Sequence, residues 1–596
     1  MWYGITIGQV RFEKAGGQLR KTDQKQGFVQ GAMILMIGTV TVKVVSMLFK
    51  IPISNMLGGT GYSYFTNAYE IFNLISTIAT AGFPVAISKL VSENSVLGRY
   101  RDSRKIFCIS RLFFLLTGFL CMVVMILGAG TFAAMIPNPG ARLSIICLAP
   151  AVLTCCLMSV YRGYYQGMQN MYPTSISQII EAVTKMIFGL GLSGAVLYLT
   201  QREYETYGTV LGQSYAGQAQ AQAVIAQLAS GAAVLGVSLS TAAGLLYLMI
   251  RWRKKGVPDE LVRQSPQPQR AGVLFKTIIV IAVPVCLGSL AVNFSGIIDL
   301  MTVTGRLAEV MQTAPQALLD CYGANIPEAE IINNSVHNYL YGAYSGKAVV
   351  IANLVPALTA GLAVSALPVV AESFAQGNRL RTQRSVQMVL RITTIVCIPA
   401  GLGISALAQE VCELFFGYNS EVAIGAPLLQ VLAIASIFIA LTAAINSLLQ
   451  AVGRVSLPVK LILIGSLVKL AMNYILVGIP QINIQAAPWS TLACYLLVTV
   501  LSLIALRQSV GELGVVSVFV KPLLAGLLCA AFARLSQNLI STVIASRFAV
   551  LVSVAVGALV YLIALFLLKA FKKEDIEMLP KGEKIAKTLE KYSLLG

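Results

Sequence analysis

Charge is what this chain has least of: Asp, Glu, Lys and Arg make up 12% of its 596 residues, where an ordinary soluble domain has about a quarter. A water-soluble globular enzyme is therefore excluded. Histidine is all but missing, with His337 alone, so a histidine triad or proton relay has almost no material. No Cys-x-x-Cys pair or Cys/His ligand spacing occurs among the 11 cysteines, and we expect no metal site, no cofactor and no catalytic residue. A Walker sequence is also missing, which argues against direct ATP drive. Collagen-like and disordered classes fail too, because no Gly-X-Y period appears and apolar content is too high.

What is present is hydrophobic sequence, 57% of the chain, in long runs broken by short charged or Gly/Pro/Asn-rich segments. A helix crossing a bilayer needs roughly 20 apolar residues. About fourteen runs meet that requirement, near 28–54, 64–92, 106–130, 143–165, 172–199, 221–250, 273–304, 338–371, 386–408, 424–449, 456–479, 485–506, 517–537 and 547–569. The expected class is an all-α polytopic membrane protein.

The net charge of +19 suggests nucleic acid only until its distribution is examined. Placing both termini in the cytoplasm leaves Arg142, Arg202, Arg306, Lys347, Arg534 and Arg547 as the basic residues outside, and most others inside, as the positive-inside rule requires. The basic balance is thus a topology signal, and a nucleic-acid partner is not expected. The densest basic stretches, Arg251 to Lys255 with Arg263 and Arg270, and Lys569 to Lys591, belong at the anionic cytoplasmic leaflet. No small-residue cleavage site follows the first apolar run, so no removable signal peptide is expected. Cys321 and Cys412 alone among the cysteines fall outside, and their pairing stays open.

Two stretches align without gaps, TAGFPVAISKLVSE (80 to 93) and TAGLAVSALPVVAE (359 to 372). Both share Thr, Ala, Gly, two Val and the final Glu, and Lys105 matches Arg384 further on. A second correspondence pairs Gln166 with Gln450 and Lys185 with Lys469, with Pro173 and Pro458 slipped by one. The expected organisation is a basic N-terminus (1–27), one six-helix lobe (28–265), a second (266–510), two added helices (511–570) and a basic tail (571–596). Halves that begin on one side with an even number of spans are parallel repeats about a pseudo-two-fold along the membrane normal, and they enclose a cleft suited to rocking transport.

We single out eight ionisable residues within these spans: Lys43, Lys50, Glu70, Lys89, Glu181, Lys185, Asp299 and Lys469. Each costs at least ~2.5–3.5 kcal/mol near mid-bilayer, so each is expected to face protein or water. Thr39, Lys43, Ser46, Lys50 and Ser54 share one face of the first helix, and Thr66, Glu70, Asn73, Thr77 and Thr80 share one of the second. Lys50 and Glu70 are expected to approach each other, as part of the path or as a brace. Glu181 and Lys185, four residues apart beside Gln178, either line the path or neutralise one another. Asn293 and Asp299 follow an expected kink at Pro284, and Ser466, Lys469 and Asn473 share a face. Lys89 is explained by snorkelling, whereas Lys43 sits mid-helix without a local partner and is assigned to the path. Leu307, Val310, Met311, Ala314 and Leu318 recur at helical spacing, suggesting an amphipathic helix either on the outer membrane surface or packed on the protein.

The segments LGGTGYSYFTNAYEIFNLIS (57 to 76) with TAGFPVAISKLVSE, YGAYSGKAVVIANLVPALTAGLAVSALPVVAESFAQGN (341 to 378) and PVCLGSLAVNFSGIIDLMTVTGRL (284 to 307) together resemble a known family. It is the stage V sporulation protein B branch of the polysaccharide-biosynthesis, lipid II flippase-like exporters, within the multidrug/oligosaccharidyl-lipid/polysaccharide (MOP) superfamily. The resemblance covers roughly 28–570 and implies fourteen helices in a V-shaped pair of lobes. It further implies a multi-pass protein of a Gram-positive cell membrane, acting as a monomer. Its cargo would be an undecaprenyl-pyrophosphate-linked sugar such as lipid II, flipped outward for peptidoglycan or spore cortex and coupled to membrane potential, protons or a monovalent cation.

On that resemblance Lys43 and Lys50, helped by Lys185 or Lys469, attract the pyrophosphate. Asn73 and Asn473 bond sugar or peptide groups, and Glu70 and Asp299 balance the cations. Relatives tend to line the cavity with arginine, whose bidentate fork lysine lacks. Two other classes stay open, a MATE-like drug/cation antiporter and a membrane-embedded glycan polymerase or glycosyltransferase. A nontransporting scaffold would show no polar stripe facing a cleft.

Overall fold

The computed structural model describes residues 28–215, 217–255, 259–542 and 546–570. The two basic ends at 1–27 and 571–596 lie outside the described residues, as does part of the 251–270 linker. Nearly everything described is helical, with one two-residue strand pair, Thr209–Val210 against Gln213–Ser214. Backbone groups in hydrocarbon must be satisfied within their own segment, which leaves helices as the available form for these runs. Eleven helical stretches among the described residues are long and apolar enough to cross a membrane.

One of the eleven, Gly38–Val96, is two arms rather than one rod. The Phe49 and Phe65 rings lie 6.1 Å apart, whereas sixteen residues of straight helix span roughly 24 Å. The chain folds back at Gly58, whose φ of 63° is a left-handed conformation that glycine adopts without steric penalty. Thr80 ends the returning arm, and after Gly82 a new helix, Phe83–Val96, continues.

Sequence-near helices pack first. The Phe28–Thr80 hairpin contacts Ala141–Gly167, Tyr172–Tyr207 and Gln218–Lys255, while Tyr100–Leu127 packs on Ala141–Gly167. Further along, Ser420–Ala451 meets Leu354–Ala375, Arg379–Ala406 and Ala486–Val510, and Lys521–Ile540 pairs with Ser546–Leu567. The hairpin also joins the two sets, touching Ala271–Ile298, Val336–Ala343 and Leu354–Ala375. Apolar side chains turned outward, such as Leu112, Leu116 and Leu120, or Leu523, Leu524, Leu527 and Leu528, are ordinary where the surrounding solvent is lipid.

Two of the expected helices are interrupted. Asp299–Val303 and Tyr344–Ala348 are single π-helical turns, which widen the backbone and are frequent at functional sites. The side chains of Pro284 and Asn293 lie outside the described residues. Beyond the first π-turn the chain continues as Thr304–Thr313 and breaks before Pro315. Leu307, Val310 and Leu318 are buried, so the amphipathic stretch packs against protein and the membrane-surface alternative is corrected. Cys321 and Cys412 are both free, the first exposed and the second buried, so they do not pair.

Between Gln218–Lys255 and Ala271–Ile298 the linker is strapped down. Gln269 N donates to Asp102 Oδ1 at 2.8 Å, Arg101 Nε donates to the Val262 carbonyl at 2.9 Å, and Lys105 Nζ donates to the Gln269 carbonyl at 2.6 Å.

At the Gly58 end the hairpin presses against Val336–Ala343 with no room for a side chain. A Cβ on Gly342 would lie 1.7 Å from the Gly59 carbonyl oxygen. We predict that Gly342→Ala lowers the thermal midpoint in detergent, because the two backbones must separate. Gly305→Ala, where a Cβ meets nothing within 4 Å, serves as the control. Equal midpoints for the two variants would refute the contact.

Candidate functional site

Two adjoining chambers lie where the hairpin, Ala271–Ile298 with its π-turn, and the interrupted 336–375 segment converge. One, of about 190 Å³, is lined by Lys50, Tyr62, Tyr69, Glu70, Lys185, Asp299, Tyr341 and Tyr344 among others. The other, of about 280 Å³, is lined by Glu70, Asn73, Asp299, Lys469, Tyr495 and others. Glu70, Gly296, Asp299, Tyr344, Val349 and Asn353 belong to both.

Asp299 is the best-held charge. Its Oδ2 is 2.6 Å from Lys469 Nζ, and its Oδ1 accepts from Asn473 Nδ2 at 3.0 Å. Lys469 also donates to Ser295 Oγ at 3.2 Å, and Asn473 to Thr302 Oγ1 at 3.1 Å, while Ser490 Oγ donates to Asn473 Oδ1. The π-turn that begins at Asp299 brings it to the Leu457–Leu476 helix, where Lys469 and Asn473 share a face one turn apart. Lys469 is therefore committed to a carboxylate, and Asn473 is a brace for that carboxylate.

Lys50 and Glu70 line one chamber within electrostatic reach of each other, without an ion-pair contact. Among the described residues Lys185 has no carboxylate at ion-pair distance: its Nζ is 3.5 Å from Ser46 Oγ and 5.4 Å from the Phe49 ring centroid. The expected Glu181–Lys185 neutralisation does not form, because Glu181 Oε2 is taken by Arg162 Nη2 at 2.9 Å. Three lysines thus face two carboxylates across the chambers, an excess of one positive charge. Lys43 stands apart, exposed and outside both chambers, and Lys89 pairs with Glu93 at 3.9 Å on exposed surface.

A second buried charge cluster was not legible in the sequence. Lys347, assigned to the outside by the topology reading, is fully buried. Its Nζ reaches Glu421 Oε2 at 3.1 Å and Asn55 Oδ1 at 2.9 Å, and lies 4.5 Å from the Phe416 ring centroid. The other Glu421 oxygen accepts from Gly59 N at 2.6 Å. Lys347 falls inside the 338–371 run, on the π-turn Tyr344–Ala348, which places it within the protein rather than in an exposed loop. The available signal was a lone lysine between apolar runs in YSGKAVVIANL.

With this geometry in hand, comparison with known proteins is specific. Residues 28–314 match the polysaccharide biosynthesis protein family and residues 343–475 match the MatE family. The lipid II flippase MurJ of Bacillus subtilis (strain 168) is 26% identical over 481 residues, 78% of this chain and 79% of its own. Stage V sporulation protein B of the same organism is 21% identical over 569 residues, 93% of this chain and 98% of its own. A structure of lipid II flippase MurJ in an inward closed conformation superposes with a TM-score of 0.59 at 14% identity, covering 90% of this chain and 98% of that one.

A polytopic helical membrane protein is the class these observations define. The chain carries a polysaccharide biosynthesis protein match in its first half and a MatE match in its second, and is homologous to MurJ and stage V sporulation protein B.

Removing one partner of a buried ion pair leaves the other uncompensated, at a cost of about 3–5 kcal/mol, while replacing both by apolar groups is often neutral. Lys469→Met and Asp299→Leu should each lower the thermal midpoint in detergent, with the double variant recovering most of the loss. Strictly additive losses would show that the pair does not hold the chamber.

Proposed function

We propose that this protein is a flippase. It moves an undecaprenyl-pyrophosphate-linked sugar, lipid II being the first candidate, from the inner to the outer leaflet by alternating access. The observation that carries this reading is the excess positive charge of the two chambers, with Lys50 and Lys185 free of direct carboxylate partners. Homology to the flippase MurJ supports it.

The chemistry follows from solvation. Taking even one ion from water into hydrocarbon has an idealised cost on the order of 20 kcal/mol, so the pyrophosphate needs fixed cations along its route. Lys50 and Lys185 supply them as point charges. Asn73 offers a neutral amide for sugar or peptide groups in the adjoining chamber, and the lipid tail stays in the bilayer. Glu70 is the carboxylate left to balance Lys50, and coupling to a proton, a monovalent cation or the membrane potential acts through it. Lys43, on exposed surface of the same helix, is a first contact before the chambers.

The architecture proposed for this cycle is two parallel six-helix lobes, 28–265 and 266–510, with helices from 511–570 added and both termini cytoplasmic. In that orientation the Gly58 end faces outward, and the Lys347–Glu421–Gly59 cluster with the Gly342 contact seals the outer side.

A drug/cation antiporter is the second reading. The MatE match over 343–475 and the tyrosines lining the smaller chamber favour it.

One experiment separates the two. Purified protein in liposomes is given fluorescent lipid II in one arm and a cationic drug-antiporter substrate in the other. We expect lipid II to move, and Lys50→Ala and Lys185→Ala to slow it on the order of tenfold to a hundredfold, since a charge-assisted contact contributes about 1.5–3 kcal/mol. Drug movement without lipid II movement selects the antiporter, and full lipid II transport by both variants removes the chamber lysines from the mechanism.

A further inference from the structure

A cavity larger than either charged chamber lies apart from them. It lies at the Gly58 end and has a volume of about 760 Å³, within the range of small-ligand sites. Tyr64 and the 134–140 turn form one wall, Tyr215 with residues 220–227 a second, and residues 308–312 and 333–338 a third. Its described lining contains no Lys, Arg, Asp or Glu, yet it carries Asn138, Gln220, Gln227, Gln312, Asn333 and His337.

Three buried polar atoms on residues of this lining have no hydrogen-bond partner among the described residues: Asn138 Oδ1, His337 Nδ1 and Asn338 Oδ1. Asn138 is fully buried, and Asn338 and His337 are 4% and 9% exposed. A buried unpartnered polar atom costs about 1–3 kcal/mol, and three around one cavity point to a ligand.

Their chemistry can be assigned. Ser63 Oγ donates to the Thr60 carbonyl at 2.8 Å, so it accepts from Asn138 Nδ2 at 3.1 Å, which turns Oδ1 of that amide toward the unpartnered side. His337 Nε2 lies 2.7 Å from the Pro137 carbonyl oxygen and must carry the proton there, which makes Nδ1 of the neutral ring an acceptor. All three orphans are acceptors. An anion, itself acceptor-only, meets no donor among them, while hydroxyl and amide N–H groups satisfy them.

We propose that this cavity is a binding site for a neutral, hydroxyl-rich ligand, a saccharide, separate from the cationic chambers. Tyr64 and Tyr215 give the apolar faces of sugar rings a surface, and the amides and His337 take the hydroxyls. The site deepens the flippase reading, as the place that receives the sugar of the headgroup once the pyrophosphate has passed the lysines. It rests on that reading only for the sugar's source.

The test uses the full-length protein in detergent and calorimetric titration with two probes: an N-acetylated amino-sugar disaccharide without lipid or phosphate, and inorganic pyrophosphate. Disaccharide binding should appear in the wild type, fall at least about tenfold in Asn138→Leu and Asn338→Leu, in line with the loss of one or two hydrogen bonds, and persist in Lys50→Ala. Pyrophosphate binding should show the reverse pattern. Gln227→Leu, on a wall remote from the orphaned atoms in sequence, gives an independent reading should an Asn variant fail to fold. Absence of disaccharide binding by the wild type, or unchanged binding in all three cavity variants, overturns the proposal. Disaccharide binding by a protein that moves no lipid II in liposomes leaves this site standing and removes the flippase reading instead.

Discussion

A charge inside a membrane protein has to be answered by another group, and the positions of the answered charges organise this fold. Asp299 is held by Lys469 and Asn473, and Lys347 by Glu421 and Asn55. Each cluster joins segments far apart in sequence, and each sits on or beside a π-turn that aims its key residue inward. Such pairs are poor sources of net stability, since desolvation offsets most of the Coulombic gain. What they fix is register: only one arrangement of the Leu457–Leu476 helix against Asp299, and of Ser420–Ala451 against the hairpin, leaves no charge unanswered.

Against that background, what is left unanswered acquires meaning. Lys185 loses its neighbour Glu181 to Arg162, and Lys50 has only the more distant Glu70. These lysines are the groups with binding capacity to spare. The cavity at the Gly58 end presents the complementary deficit, acceptors without donors. One region thus suits the anionic part of a lipid-linked sugar and the other its neutral part, so the two halves of such a headgroup meet different chemistry.

The sequence made much of this readable, for physical reasons. Apolar runs of bilayer length specify a polytopic helical protein, and polar stripes at helical spacing mark Lys50, Glu70 and Asn73 on adjacent arms, which the structure places around shared chambers together with Lys185, Asp299 and Lys469. Periodicity cannot tell which partner a charge chooses when two are in reach. That is why Glu181 reads as lining the path or neutralising its own-helix neighbour rather than as the partner of Arg162, and why Asn473 reads as a free amide although it is tied to Asp299. Nor does hydropathy detect a π-turn, so nothing in the sequence marks Lys347 as turned into a buried charge cluster. Lys43 shares the stripe of Lys50 but lies two turns away, where the hairpin no longer packs against the chambers. The cavity at the Gly58 end is invisible in the sequence for a different reason: its walls carry neutral amides from separate segments, which leave no charge pattern to find.

The strap at residues 259–270 bears on how such a molecule could move. Because Asp102, Arg101 and Lys105 clamp this stretch to the start of Tyr100–Leu127, the connection between the early and late helices is not a slack tether. The strap ends at Arg270, whose extended backbone precedes the Ala271–Ile298 helix. A rotation of the later helices would swing about that residue as a hinge pin, with Ala271–Ile298 as the lever arm, and Asp299 rides at the lever's far end.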